Sequence, residues 1–297
     1  VHLRLVFTAL VVLALAGCTS IATSVIADAL SGPGNLGSDD DPELVRDAAP
    51  FGLKTMERLL EAQPEHGGLL TALASGFTQY CYAFVQQDAD AAELKAKYAQ
   101  AKAGRERAKK LYLRARDYGL RGLELTHPGI SKRLKAVRGL PEAVAPLKKE
   151  DVPLVYWTAA AWALAISNGK EDMELVAELP VPGALIARAL ELDEAWGDGA
   201  LHEFAVSYEA ARPGGTEAAA KAHLDRALAL GHGRRLGVRV AWAEGPLVQA
   251  QKREDFENTL KAVLAADVDA SKPDRLSNII AQRRARLLLE HVDDLFN

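Results

Sequence analysis

Asp151-Val-Pro-Leu-Val-Tyr-Trp-Thr-Ala-Ala-Ala-Trp-Ala-Leu-Ala-Ile166 is the stretch whose reading decides the fold. Between Val152 and Ile166 the one clearly polar side chain is Thr158, so no solvent-facing stripe is present. A helix that is apolar on all sides belongs either in a membrane or in the middle of a protein. A span needs roughly 20 apolar residues, and this run stops sooner, at Ser167-Asn168-Gly169-Lys170. Asp151 can cap the helix, and Pro153 suits its first turn, where a missing N–H costs nothing. Ala159, Ala160, Ala161, Ala163 and Ala165 let neighbouring helices come close, while Tyr156, Trp157 and Trp162 supply bulk. The stretch predicts a buried central helix, around which the rest of an all-α protein is packed.

The composition agrees with that class. Hydrophobic residues make up 49% of 297, enough for a sizeable core. Ala, Leu, Glu, Arg and Lys favour helix, and the one short run with a strand-like pattern is Val238–Trp242. The net charge of -4 excludes a globally basic nucleic-acid binder. It also hides an asymmetry. From Lys95 to Lys149, 16 Lys or Arg stand against 4 Asp or Glu, a local +12 that leaves -16 for the remainder.

The N-terminal region points to a compartment. Arg4 closes a short positive segment and 5–15 is an apolar run of signal-peptide length. It ends in Leu15-Ala16-Gly17-Cys18, a full bacterial lipobox, so 1–17 reads as a signal peptide and Cys18 as the lipidation site. Residues 18–42 read as a tether, and 43–297 as the folded domain. Acyl chains on Cys18 would hold the protein on a membrane facing the periplasm, with the outer membrane favoured, at about 0.8 kcal/mol per buried CH₂. Cys81 is the other cysteine, so no disulfide framework is expected. Gly32-Pro-Gly-Asn-Leu-Gly37 is formally a dinucleotide fingerprint, but no strand precedes it, and it reads as linker.

Along the domain a short motif recurs. Arg58-Leu-Leu-Glu-Ala-Gln-Pro64, Arg121-Gly-Leu-Glu-Leu-Thr-His127, Arg188-Ala-Leu-Glu-Leu-Asp-Glu194, Arg226-Ala-Leu-Ala-Leu-Gly-His232 and Lys261-Ala-Val-Leu-Ala-Ala-Asp267 are alike. Their starts lie 63, 67, 38 and 35 residues apart. The last two steps approach the period of about 34 residues of tetratricopeptide (TPR) repeats, and the first two approach twice that. The prediction is an all-α fold of TPR-like helical hairpins packed around the central helix.

Chemistry-bearing motifs are scarce. His202-Glu203 opens a helix, but Val206 occupies the place of a second metal-ligating His. No metal site, catalytic residue or cofactor is expected, and His66, His127 and His232 read as helix-end residues. Gln79, Tyr82 and Gln86 on one helix, with Tyr156 and Trp157 on the central one, are the candidate walls of a ligand cleft. Arg105, Arg107, Lys110, Arg114, Arg116 and Arg121 form a candidate basic face for an acidic partner or anionic headgroups.

Several blocks resemble a known family. They are Asp39-Asp-Asp-Pro-Glu-Leu-Val-Arg46, Gly76-Phe-Thr-Gln-Tyr-Cys-Tyr-Ala-Phe-Val-Gln86 and Arg107-Ala-Lys-Lys-Leu-Tyr-Leu-Arg-Ala-Arg-Asp-Tyr-Gly119, together with Tyr156-Trp-Thr-Ala-Ala-Ala-Trp162 and Trp196-Gly-Asp-Gly-Ala-Leu-His-Glu-Phe204. With the lipobox they are similar to the TatT component family, lipoproteins associated with tripartite ATP-independent periplasmic (TRAP) transporters. The resemblance implies a homotrimer, a pore or cleft through which a hydrophobic small molecule passes, and a periplasmic solute-binding subunit as partner. With no catalytic motif in the sequence, no enzymatic activity is expected. The competing reading is a TPR-like scaffold for envelope or outer-membrane protein assembly, without a small-molecule role.

Overall fold

The computed structural model describes residues 35–296; Cys18 and the tether up to residue 34 lie outside them. A short turn at Asn35–Ser38 leads into α1 (Pro42–Ala62) and then α2, which runs Gly67–Tyr80, passes through a π turn at Cys81–Gln86 and continues as Gln87–Leu94. Helix α3 is Tyr98–Thr126, followed by the short α4 (Ile130–Lys135) and α5 (Leu140–Val144). Next come α6 (Val152–Ser167), α7 (Met173–Ala177), α8 (Pro180–Asp193), α9 (Ala200–Ala211) and α10 (Glu217–Leu230). The chain ends with α11 (Gly237–Trp242, extended by a π turn at Ala243–Leu247), α12 (Arg253–Ala265), α13 (Arg275–Glu290) and α14 (Val292–Leu295). Among the described residues there is no strand. The strand-like Val238–Trp242 is helical, with Val238, Val240 and Trp242 all buried.

Each recurring motif closes a helix. The five copies fall at the C-terminal ends of α1, α3, α8, α10 and α12, and each of those helices is followed by a partner: α2, α6, α9, α11 and α13. Local chemistry sets the ends. Asp41 accepts from the amides of Glu43 (3.0 Å) and Leu44 (3.1 Å), with Pro42 in the first turn of α1. His66 Nδ1 accepts from the Leu69 amide at 3.1 Å to start α2, so it is a cap, in keeping with its reading as a helix-end residue. Ala96 (φ 54°) turns the chain between α2 and α3.

Helix α6 occupies the predicted central place. Val152, Val155, Ala159, Ala161, Trp162 and Ala165 are buried, and the helix packs against α2, α3 and α8. Thr158 is fully buried but satisfied, its hydroxyl donating to the Leu154 carbonyl at 2.6 Å. Helix α3 comes so close here that a Cβ on Gly119 would overlap Thr158 Oγ1. Two expectations are corrected. Asp151 does not cap α6; its carboxylate accepts from the Lys148 amide (2.8 Å) and pairs with His127 Nε2 (2.7 Å), which ties down the end of α3. Nor is α6 buried all round: Pro153, Leu154, Tyr156, Trp157, Ala163 and Leu164 are only half-buried. At about 100° per residue all of these except Leu154 share one side of the helix.

The hairpins curve until the last meets the first. Helix α13 lies against α1 and against the turn 35–38. Arg275 pairs with Asp40 at 3.3 Å, Arg283 with Glu43 at 2.5 Å, and Arg284 with Asp90 at 3.0 Å. Val45, Phe84 and Ile280 form a small apolar cluster at the same junction. Small rotations between stacked repeats generate such superhelices. Here the superhelix closes into a ring, so it has an inside.

Candidate functional site: the lining of the central space

Helix α2 and the hairpins opposite it face one another across that inside. Tyr82 keeps 43% of its surface exposed. Yet its phenol is pushed well above the ordinary tyrosine range, first by desolvation and then by the Glu244 carboxylate, against the pull of Arg284 and with further help from Glu203 and Asp90. A side chain that water reaches, but that protein surrounds at a distance, lines a concavity. The charges around it come from α9, α11, α13 and the far end of α2, so four stretches of the ring share the space. Tyr82 sits in the first π turn and Glu244 in the second. Such turns add a residue to the helical register and are frequent at functional sites.

Tyr156 faces the same space from α6. Burial and Glu203 raise its phenol to about 12, opposed by Arg235. Trp157 meets its ring edge-on, with centroids 4.8 Å apart, and Trp196 lies tilted against it, also at 4.8 Å. Phe204 and Tyr208 stack at 5.9 Å along α9. The charges are paired. Arg235 Nη2 donates to Glu203 Oε2 at 3.0 Å, and that carboxylate holds the guanidinium well above its ordinary value. Arg284 joins Glu244 and Asp90; burial opposes its charge, but the two carboxylates more than compensate. The lining therefore combines aromatic faces with neutral phenols and neutralised ion pairs, suited to an apolar body with a polar end.

Three of the five cleft residues proposed from sequence belong to this group: Tyr82, Tyr156 and Trp157. Gln86 does not stand at a hydrated mouth. Its Oε1 accepts from Tyr112 Oη (2.7 Å) and Asn168 Nδ2 (3.0 Å), joining α2, α3 and the end of α6. Gln79 is exposed, its amide turned back towards the Ser75 carbonyl at 3.4 Å. The cause is the π turn between them, which shifts the helical phase so that Gln79, Tyr82 and Gln86 share no single stripe. Glu203, Arg235, Glu244, Arg284, Asp90 and Trp196 were missed. One signal was readable: Arg284 interrupts the apolar face of Ile280, Ala281, Ala285 and Leu288.

The basic segment is likewise divided. Arg105 and Arg116 lie on one side of α3, where Arg105 pairs with Asp90 (2.9 Å) and Glu93, and Arg116 with Asp117 (2.9 Å) and Glu178 (3.5 Å). Arg107, Lys110, Arg114 and Arg121 fall on the other side by the 100° rule. Of these, Arg114 pairs with Glu57, and Arg121 donates to the Pro64 carbonyl at 3.2 Å. The six cations thus form no single face, and four of them join neighbouring segments to α3.

His202 and Glu203 point to different neighbours. His202 Nδ1 lies 2.8 Å from His223 Nδ1, and its Nε2 3.0 Å from Glu194 Oε1, while Glu203 serves Arg235. Burial is the largest influence on both imidazoles and lowers them.

These features define a class: a closed ring of TPR-like helical hairpins. Among the described residues no helix is long and apolar enough to cross a membrane. The chain matches the family of TRAP transporter T-components over residues 38–296, and it belongs to that family. It is also similar to a protein of Treponema pallidum (strain Nichols) described as "Uncharacterized protein". The two are 29% identical over 266 residues, which cover 87% of this chain and 81% of the relative.

Proposed function

We propose that this T-component is a non-enzymatic periplasmic lipoprotein. It holds an apolar ligand with a polar end inside its ring and hands that ligand to or from the solute-binding subunit of a TRAP transporter. The observation that carries this reading is the aromatic cluster of Tyr156, Trp157 and Trp196 together with the exposed Tyr82, set among paired charges. Four rings offer more apolar surface than close helix contacts require, and the phenols stay neutral and able to donate. Burying some 200 Å² of ligand would contribute about 5 kcal/mol. Ordering costs reduce this to a modest affinity, which suits a carrier that must release its cargo. Lipidation at Cys18 would keep the ring at the membrane surface.

The test uses the mature chain carrying Cys18→Ser and N-phenyl-1-naphthylamine, whose fluorescence rises in apolar surroundings. The probe is expected to bind, and Trp157→Ala to weaken binding while circular dichroism and oligomeric state are kept. A folded protein that leaves the probe dark would remove the carrier role and leave a TPR-like scaffold.

A further inference from the structure

The ring is not equally strong around its circumference. The α3–α6 side belongs to a large continuous core running from Cys81 to Leu201. The junction of first and last helices has Val45, Phe84 and Ile280 as its buried apolar residues. Tyr80, Ala83 and Leu276 pack half-buried against this small cluster, and three ion pairs cross beside it. Arg275–Asp40 and Arg283–Glu43 have exposed carboxylates, with side chains 77% and 58% accessible. Exposed pairs of this kind are weak and screened by salt.

The inner end of the junction is imperfect as well. Arg284 Nη1 lies 3.0 Å from Asp90 Oδ2, yet this buried nitrogen makes no hydrogen bond. Burial raises the Asp90 carboxyl despite Arg284 and Arg105 beside it, with Glu244 and Glu93 adding repulsion, so desolvation outweighs attraction there. The same Arg284, Asp90 and Glu244 act on Tyr82, so this contact forms part of the wall of the central space.

We infer that the junction of α13 with α1 and α2 is a lateral gate: Arg284 parts from Asp90, the last hairpin moves away from the first, and a long amphipathic molecule enters or leaves the ring sideways. This rests on the carrier reading above and specifies how its site is reached. Breaking the junction costs little apolar contact, whereas opening the ring anywhere along α3, α6 or α8 would expose core. Lid motions of this kind commonly set exchange rates without altering the bound state.

The experiment links Glu43→Cys to Arg283→Cys, across the exposed outer end of the junction, with a bis-methanethiosulfonate reagent that reductant removes. Cys81 is fully buried and Cys18 is replaced by Ser, so neither competes for the reagent. The probe is 11-dansylaminoundecanoic acid, followed by stopped-flow fluorescence. Linking is expected to slow both loading and release by about tenfold or more, with little change in the equilibrium constant, and reductant to restore the rates. Asp90→Asn, which keeps the shape and removes the charge, should speed exchange. Probe binding with rates unchanged by the link would overturn the gate alone. No binding by the unlinked protein would overturn the carrier reading, and the gate with it.

Discussion

Trp162→Ala tests whether α6 is the organising element. The indole is fully buried. Its Nε1 donates to Glu178 Oε2 at 2.7 Å, and the Arg116 guanidinium sits 5.0 Å above the ring. Truncation therefore removes three things together. Loss of the buried ring and the cavity left behind cost about 3–5 kcal/mol. The hydrogen bond to a carboxylate is worth about 1.5–3 kcal/mol, discounted here because the Glu178 side chain is 23% accessible and water can replace the donor. The cation–π contact adds about 0.5–2 kcal/mol. Because these overlap, the expected loss is about 4–6 kcal/mol rather than their sum. At about 2–4 °C per kcal/mol for a domain of this size, the melting temperature should fall by roughly 10–20 °C. Trp162→Phe keeps most of the apolar volume and loses the donor, so about 1–3 kcal/mol is expected. Urea unfolding followed by far-UV circular dichroism measures both. A Trp162→Ala protein within about 1 kcal/mol of the parent would refute a central α6. A Trp162→Phe protein as unstable as Trp162→Ala would instead place the effect in the hydrogen bond rather than in packing.

Two further outcomes are expected. The His202–His223 contact joins α9 to α10 under the influence of Glu194, Arg226 and Glu209, and both imidazoles are lowered. The unfolded chain therefore binds more protons than the native one in the window below about pH 6.5, so stability is full above that value and falls as the pH drops through it. Melting temperatures between about pH 7.5 and 5.5 should show this decline, and His223→Gln should flatten it; an unchanged slope would dissociate the pair from acid sensitivity. For the anchor, Cys18→Ser should abolish incorporation of radiolabelled palmitate in cells, and labelling at the parental level would end the lipoprotein reading.

What the sequence discloses here is what local chemistry determines. Asp41-Pro42 starts α1 because its carboxylate caps amides two and three residues on, and the repeated motifs mark helix ends because each closes an amphipathic turn. Helix α6 was legible from the near absence of polar side chains, although its half-open side was not, since an apolar residue looks the same facing core or cavity. The π turns at Cys81–Gln86 and Ala243–Leu247 left no pattern in composition, and the first of them displaced Gln86 and Gln79 from the wall. Ring closure is the least local feature of all. Asp40 and Arg275 are 235 residues apart, and Glu43 and Arg283 240, so neither partner's neighbours foretell the pair. Closure is also what converts a superhelix into a container. Closed, the hairpins place the exposed Tyr82 among charges from α9, α11 and α13. The site therefore depends on contacts weaker than those that build the hairpins, and a ligand inside is held or released by the least stable part of the fold.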